Sequence, residues 1–296
     1  MSKPGNGHKQ ALHFHQPPQR VVSLVPSLTE SMFDLGFGGA LVGITDYCIH
    51  PTGAIAALPR LGGTKAPNIE AILDLSPDLV LANQEENQRQ SVEALEAYGV
   101  PVWVTFPKTV RESLDTLWTL TGIYHSREAA ARLQTLEVTL EWAAAAALEK
   151  AKIRYFCPIW YQESVQTPLW WMTFNQYTYS HDLLKILGGA NVFADRQRRY
   201  PLEADLGLAP AEEPGERDTR YPRISFDEII QAQPQIILLP DEPFEFQAEH
   251  EELLHDKLAE SPAVKDGRIH RVDGSLITWF GTRLARALQE LPALFE

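Results

Sequence analysis

The sequence predicts an α/β protein of two αβ lobes with parallel sheets, joined by one long spine helix, and three observations carry that expectation. The first is an internal echo. Asn68 to Asn83, NIEAILDLSPDLVLAN, recurs from Ser225 to Pro240 as SFDEIIQAQPQIILLP. Aligned without gaps, Glu70 falls on Asp227, Pro77 on Pro234, and Leu79-Val80-Leu81 on Ile236-Ile237-Leu238. Each copy reads as an amphipathic helix, a proline-marked turn and a short buried strand, the joint of a parallel αβ unit. Such joints also recur by chance in α/β proteins; the acidic residue at the same place in both copies argues for duplication. The second observation is the alternation of strand and helix patterns through the first half, as in a parallel sheet covered on both faces. The third is the segment 126–151, which has no Gly or Pro and is rich in strong helix formers. At 1.5 Å per residue it would form a rod of roughly 39 Å. A rod between two lobes is a stiff spine; a long surface helix of one domain would give the same pattern. The predicted organisation is therefore a flexible leader at 1–19, an N-terminal αβ lobe at 20–125, the spine helix at 126–151 and a C-terminal αβ lobe at 152–296.

The elements follow in order. The leader is polar and rich in Gly, Pro, His and Gln, and its His13 and His15 form a metal-capable pair or a solvated one. It lacks the apolar core and small-residue cleavage site of a signal peptide. Val21 to Val25 is a β-branched run that fits a buried strand, stopped by Pro26. Ser27 and Glu30 then spell a capping box, predicting a helix that ends at Gly36. Strands follow at Leu41 to Thr45 and Val102 to Phe106, with a polar helix from Glu86 to Tyr98 between them. After the spine, Ile153 to Trp160 resumes strand character, an aromatic-rich loop follows, and a helix runs from Thr178 to Leu187. Residues 201–222 hold four prolines among many charges and read as a long exposed loop. Beyond the second echo come an acidic helix near 248–259, a strand near 269–272 and a final helix at 281–291.

Composition excludes several classes of function. At 296 residues the chain is long enough for two ordinary domains, since single cores rarely exceed ~250–300 residues. A net charge of −13 opposes a general nucleic-acid or anionic-membrane surface. No apolar run approaches the ~18 residues of a membrane helix. Cys48 and Cys157 are too few for a disulfide scaffold and lack CxxC spacing; they are buried thiols or a single bridge. No P-loop, GxSxG elbow, GxGxxG or HExxH supports an enzyme.

In open α/β sheets ligands gather beyond the carboxyl ends of the strands, which in a two-lobed protein points to the interlobe cleft. The stretches to inspect are Pro26-Ser27, Asp46 to Pro51, Asn83 to Asn87, Phe106 to Lys108, Trp160 to Glu163, Asp241 to Phe246 and Gly274 to Arg283. Aromatics are dense around Trp160, Tyr161, Trp170, Trp171, Phe174, Tyr177 and Tyr179, and again at Trp279-Phe280. Some of these belong to a core; the rest suit a flat, conjugated or macrocyclic ligand. Asp46, Cys48 and His50 could ligate a soft metal, with Glu85, Glu86 or His181 converging. Arg60, Lys65, Arg199 and Arg283 could meet ligand carboxylates or phosphates.

The strings from Arg20 to Glu30, Val42 to Thr45, Asn68 to Glu70, Leu75 to Val80 and Gly188 to Phe193, together with the second echo, resemble one known family. It is that of the helical-backbone substrate-binding proteins of ABC importers, which receive cobalamin, haem and ferric siderophores. The resemblance covers residues 20–291. It implies a periplasmic binding protein fold of the metal-receptor type, not an enzyme, with no covalent cofactor, and a monomer working outside the cytoplasmic membrane. The missing signal peptide leaves a cytoplasmic carrier, or a metal-binding enzyme of chelatase-like type, as the alternative. The resemblance places Glu70 and Asp227 as the acidic residues that dock onto permease arginines, although members usually carry Glu at both. It implies Trp279 as a stacking contact, with Phe280, Arg283, Tyr47, Lys65 and Glu86 as further ligand-binding candidates, to which the aromatic-dense stretch adds Trp160 and Trp171. Cys48 and His50 remain the candidate metal ligands. The expected ligand is a cobalamin-like corrinoid, haem or a ferric siderophore.

Overall fold

The computed structural model describes residues 14–162 and 169–296. They fall into two compact units, the first taking residues up to Phe106 with Leu114–Gln134, the second taking Pro107–Ser113 with Thr135–Glu296. His13 and Glu163 lie outside the described residues.

The first unit is built on strands β1 (Val21–Ser23), β2 (Leu41–Ile44), β3 (Leu79–Asn83) and β4 (Val102–Thr105). They pair in the order β2-β1-β3-β4, every pair parallel. Helices α1 (Pro26–Asp34), α2 (Ile69–Asp74) and α3 (Arg89–Ala97) connect them. α4 (Val110–Tyr124) and the 22-residue α5 (Arg127–Leu148) follow, and the division between the units falls inside both. Parallel strands need both faces covered, and β1 and β3 are buried at every position. Each fully buried Val, Leu or Ile contributes roughly 1.5–3 kcal/mol. In α5 the buried residues Ala129, Leu133 and Leu136 are spaced by four and three, one helical stripe, and the remaining faces meet solvent.

The second unit repeats this topology. β5 (Ile153–Phe156), β8 (Gly189–Asn191), β10 (Ile236–Pro240) and β11 (Ile269–Val272) form a parallel sheet in the order β8-β5-β10-β11. In order of occurrence this is second, first, third, fourth, as in the first unit. A second, antiparallel sheet of β6 (Pro158–Gln162), β7 (Trp170–Thr173) and β9 (Arg223–Ile224) was not expected. It turns much of the supposed aromatic loop into strands. The helices are α6 (Tyr179–Ile186), α7 (Leu202–Asp205), α8 (Phe226–Ala232), α9 (Ala248–Lys257), α10 (Pro262–Lys265), α11 (Ser275–Thr278) and α12 (Leu284–Glu290).

The echo holds in three dimensions. α2 and α8 are capped by the aligned residues Asn68 and Ser225, whose side chains accept from Ala71 N and Glu228 N. The aligned Ser76 and Gln233 both take a left-handed backbone with φ of 45° immediately before the aligned prolines. Proline disfavours the right-handed helical region for the residue before it, so both helices stop one turn short of the strand. β3 and β10 are the third strands of their sheets, buried throughout.

Local expectations failed at three places. α1 starts at Pro26 with Val25 as N-cap and no side-chain cap, so the Ser27/Glu30 capping box is not formed. Proline at the first helical position needs no N–H partner and sets the start instead. Residues 1–13 of the leader lie outside the described residues, and its last two residues are anchored: Gln19 N–H donates to Asp78 Oδ2 at 2.8 Å and Tyr124 Oη to Pro18 O at 3.0 Å. Residues 201–222 contain α7 and a bridge between Tyr200 and Glu212, organised by the buried Asp205.

Candidate functional site

In the first unit the loops beyond β2 and β3 are tied into one surface. Asn87 Nδ2 donates to Thr64 O at 2.9 Å, while its Oδ1 accepts from Asn83 N at 2.8 Å. Lys65 Nζ donates to the carbonyl of Glu85. Arg60, although exposed, is engaged by the carbonyls of Thr45 and Cys48 at 2.9 and 2.8 Å. On this platform Tyr47 stands 62% exposed, with its ring beside Gly63. The structure thus brings Tyr47, Lys65, Glu85 and Glu86 to one region, as their stretches suggested.

The metal set is not assembled there. Cys48 is fully buried, its Sγ lying 3.1 Å from Thr29 Oγ1 and 3.2 Å from Thr45 Oγ1. Burial pushes the thiol above its ordinary pKa, the two threonine hydrogen bonds oppose this, and the charge of Glu86 adds to it. A protonated, inward-facing thiol is a poor metal ligand. Among the described residues no group of three or more His, Cys, Asp or Glu could hold a metal ion. His181 is also interior, in α6; burial, then Lys185, lowers its pKa. Cys48 and Cys157 are both free, buried thiols rather than a bridge.

In the second unit the sequence candidates divide. Trp160, 42% exposed in the middle of β6, leans edge-on against Phe244 with ring centroids 5.4 Å apart. Trp171, by contrast, is fully buried, stacked on Phe246 and edge-on to Phe156. It is a core residue, because β7 pairs on both sides and turns Trp171 toward the helices. Phe280 and Arg283 are interior as well, 6% and 2% exposed. Arg283 does not reach outward; its guanidinium lies 5.2 Å from the centroid of the half-buried Trp279 ring and holds that indole in place. Arg199 is exposed, its backbone N–H bound by Asp205.

Glu242, in a stretch marked for inspection but not singled out, is the acidic centre of this face. It follows β10, is half-buried, and accepts from Thr278 Oγ1 at 3.1 Å. A side chain at Gly274 would bring its Cβ to 2.6 Å from the Glu242 carbonyl oxygen, so only glycine permits this packing. Burial raises the Glu242 carboxyl pKa; bonds from Thr278 and Trp279 oppose the shift, and Asp241 and Asp273 add to it. With the folded pKa above the unfolded one, the native state holds the extra proton, and ionisation costs stability as pH rises through that window. Glu242→Gln is expected to remove this loss: thermal melts across the acid range should show the variant gaining on wild type as pH rises above the ordinary carboxylate value. Parallel curves would refute it. The only sequence signal for Glu242 was an acidic pair directly after an apolar strand.

Two αβ units of identical strand order, each presenting loops at the carboxyl ends of its parallel sheet, define a two-lobe α/β binding fold. A family model described as periplasmic binding protein matches residues 21–276, and the chain belongs to that family. It is 28% identical over 229 residues to a vitamin B12-binding protein of Vibrio cholerae, covering 75% of this chain and 70% of the relative. It is 24% identical over 288 residues to the vitamin B12-binding protein of Vibrio vulnificus, covering 95% and 90%. Among solved structures, the periplasmic vitamin B12 binding protein BtuF of Vibrio cholerae superimposes with a TM-score of 0.74 at 22% identity, covering 94% of this chain and 96% of that one. The periplasmic heme-binding protein RhuT from Roseiflexus sp. RS-1 also gives 0.74 at 22% identity, with coverage of 94% and 97%. Among the described residues no helix is long and apolar enough to cross a membrane.

Proposed function

We propose that this chain is the substrate-binding component of an ABC-type importer, working outside the cytoplasmic membrane and capturing a corrinoid, haem or ferric-siderophore ligand. Family membership supports the class. The observation that carries the ligand reading is a set of aromatics that follow the parallel strands along the chain, Tyr47 after β2, Trp160 in the antiparallel strand β6 that follows β5, and Trp279 beyond β11, none of them sunk in a core. Large flat rings bury much area against such side chains and gain a further ~0.5–1.5 kcal/mol from stacking geometry. Relatives named for vitamin B12 and for heme bracket the same ligand chemistry. Lys65 and Glu86 would supply polar contacts beside Tyr47. Glu70 and Asp227 would face the permease: both are exposed, in the first turn of the aligned helices α2 and α8.

The test is a panel of cobalamin, cobinamide, haem and ferric siderophores, followed by calorimetry and visible spectra. At least one should bind with a shifted band, and Trp279→Ala should raise its Kd about tenfold or more, a loss of ~1.4 kcal/mol. A panel without heat or spectral change refutes the ligand class. The alternative of a metal-binding enzyme using Cys48, His50 and Glu86 finds no support in a buried, protonated Cys48.

A further inference from the structure

We propose that a cavity within the second unit is an oxyanion site, one that takes a carboxylate or phosphate group of a small molecule. This deepens the ligand-binding reading by assigning a subsite for acidic groups. The cavity is a depression open to solvent with a volume of about 480 Å³, and its lining includes Lys108, Glu112, Tyr177, Arg217, Asp218 and Arg220. That volume lies in the range of small-molecule sites, roughly 300–1,000 Å³. On a chain of net charge −13, three basic side chains from two distant stretches converge here.

The two carboxylates in the lining are already engaged. Asp218 is gripped by Arg220, Nε to Oδ1 at 2.9 Å and Nη2 to Oδ2 at 2.5 Å, and these contacts hold its pKa low against the opposing effect of burial. Glu112 accepts the backbone N–H of Lys108 at 2.6 Å. Arg217 is held in place before any ligand arrives: its Nε donates to Pro214 O at 3.0 Å and its Nη2 to Glu213 O at 2.6 Å. Its guanidinium also lies 4.2 Å from the Tyr200 ring centroid, while Arg198 lies 4.6 Å from the same centroid. Two guanidiniums sharing one ring fix the cationic wall with little side-chain entropy left to lose. Among the described residues the carboxylate competing for Arg217 is Glu212, at 3.3 Å in an exposed pair, the kind worth ~1 kcal/mol or less. Lys108 and Tyr177 are solvent-facing, giving an ammonium and a phenolic O–H on the same lining. A planar fork, an ammonium group and a hydroxyl donor together suit an oxyanion rather than a neutral group.

Calorimetric titration of the full chain with inorganic phosphate and, separately, with citrate tests this. At least one should bind with a Kd of about 1 mM or tighter, and the double variant Lys108→Ala/Arg217→Gln should weaken it about tenfold. Lys265→Ala, an exposed lysine of α10 outside this lining, should change nothing. Tighter binding of citrate would assign the subsite to carboxylates, tighter binding of phosphate to phosphoryl groups. If neither anion binds, or if the double variant binds as wild type does, the proposal is overturned. Neither probe is a metal chelate, so a silent chelate panel with intact anion binding would refute the proposed function and leave this site standing; the converse would refute this site alone.

Discussion

Replacing Asp205 by alanine is expected to lower the thermal transition of the second unit by roughly 6–20 °C. Asp205 is 1% exposed, and its carboxylate accepts from Arg196 Nη1, from the backbone N–H of Arg199 and from the backbone N–H of Arg223, each at 2.9 Å. Arg196 is bound in turn to Glu228 at 2.8 Å, so the carboxylate joins α7, β9 and α8. Alanine leaves two backbone N–H groups without their acceptor and strips one of two carboxylate partners from a nearly buried guanidinium, which keeps Glu228. Breaking a buried pair from one side costs ~3–5 kcal/mol, and each kcal/mol moves the midpoint of a 150–250-residue unit by roughly 2–4 °C. Asp205→Asn keeps one acceptor oxygen and should lie between alanine and wild type. Scanning calorimetry of the three proteins checks the order; an alanine variant melting within about 3 °C of wild type would show that the network contributes little.

Reversing charge at both Glu70 and Asp227 is the second large expected effect. Glu70→Lys/Asp227→Lys should abolish stimulation of the cognate permease and ATPase in reconstituted vesicles while ligand Kd stays within about twofold. Both side chains are exposed at the start of short helices, where an acidic residue favours the helix N-terminus by only ~0.3–1 kcal/mol, so folding should survive the change. Because Asp227 is one methylene shorter than Glu70, Asp227→Glu should keep or strengthen the stimulation. Stimulation by the double lysine variant at the wild-type level would remove these residues from the docking surface.

Much of the architecture was legible because it rests on local rules. The aligned prolines end the helix at the same place in both copies, each after a left-handed residue, and apolar β-branched runs marked central strands whose two faces are covered. α6 and β11 were read within one or two residues, since Thr178 and the glycines after the helix act only on their neighbours. The site was legible only as stretches. Which aromatics face outward depended on strand pairing: Trp160 and Trp171 stand on the paired strands β6 and β7, where Trp160 lies opposite Met172 and Trp171 opposite Tyr161, and one reaches solvent while the other is sealed in the core. Cys48 turned inward because hydroxyls from α1 and β2's end met it there. Glu242 and the Asp205 network draw partners from 6 to 36 residues away in the chain, beyond any local pattern.

By itself, then, the chain's pattern determined two αβ units of one design, the strands that centre them and the acidic residue each copy carries at its first helical turn. Those features follow from backbone preferences and apolar periodicity, which act over a few residues. Only the tertiary structure decided which side chains reach solvent at the strand ends, which charges are satisfied inside, and where a cationic cavity forms, because each depends on groups that only packing brings within a few ångströms.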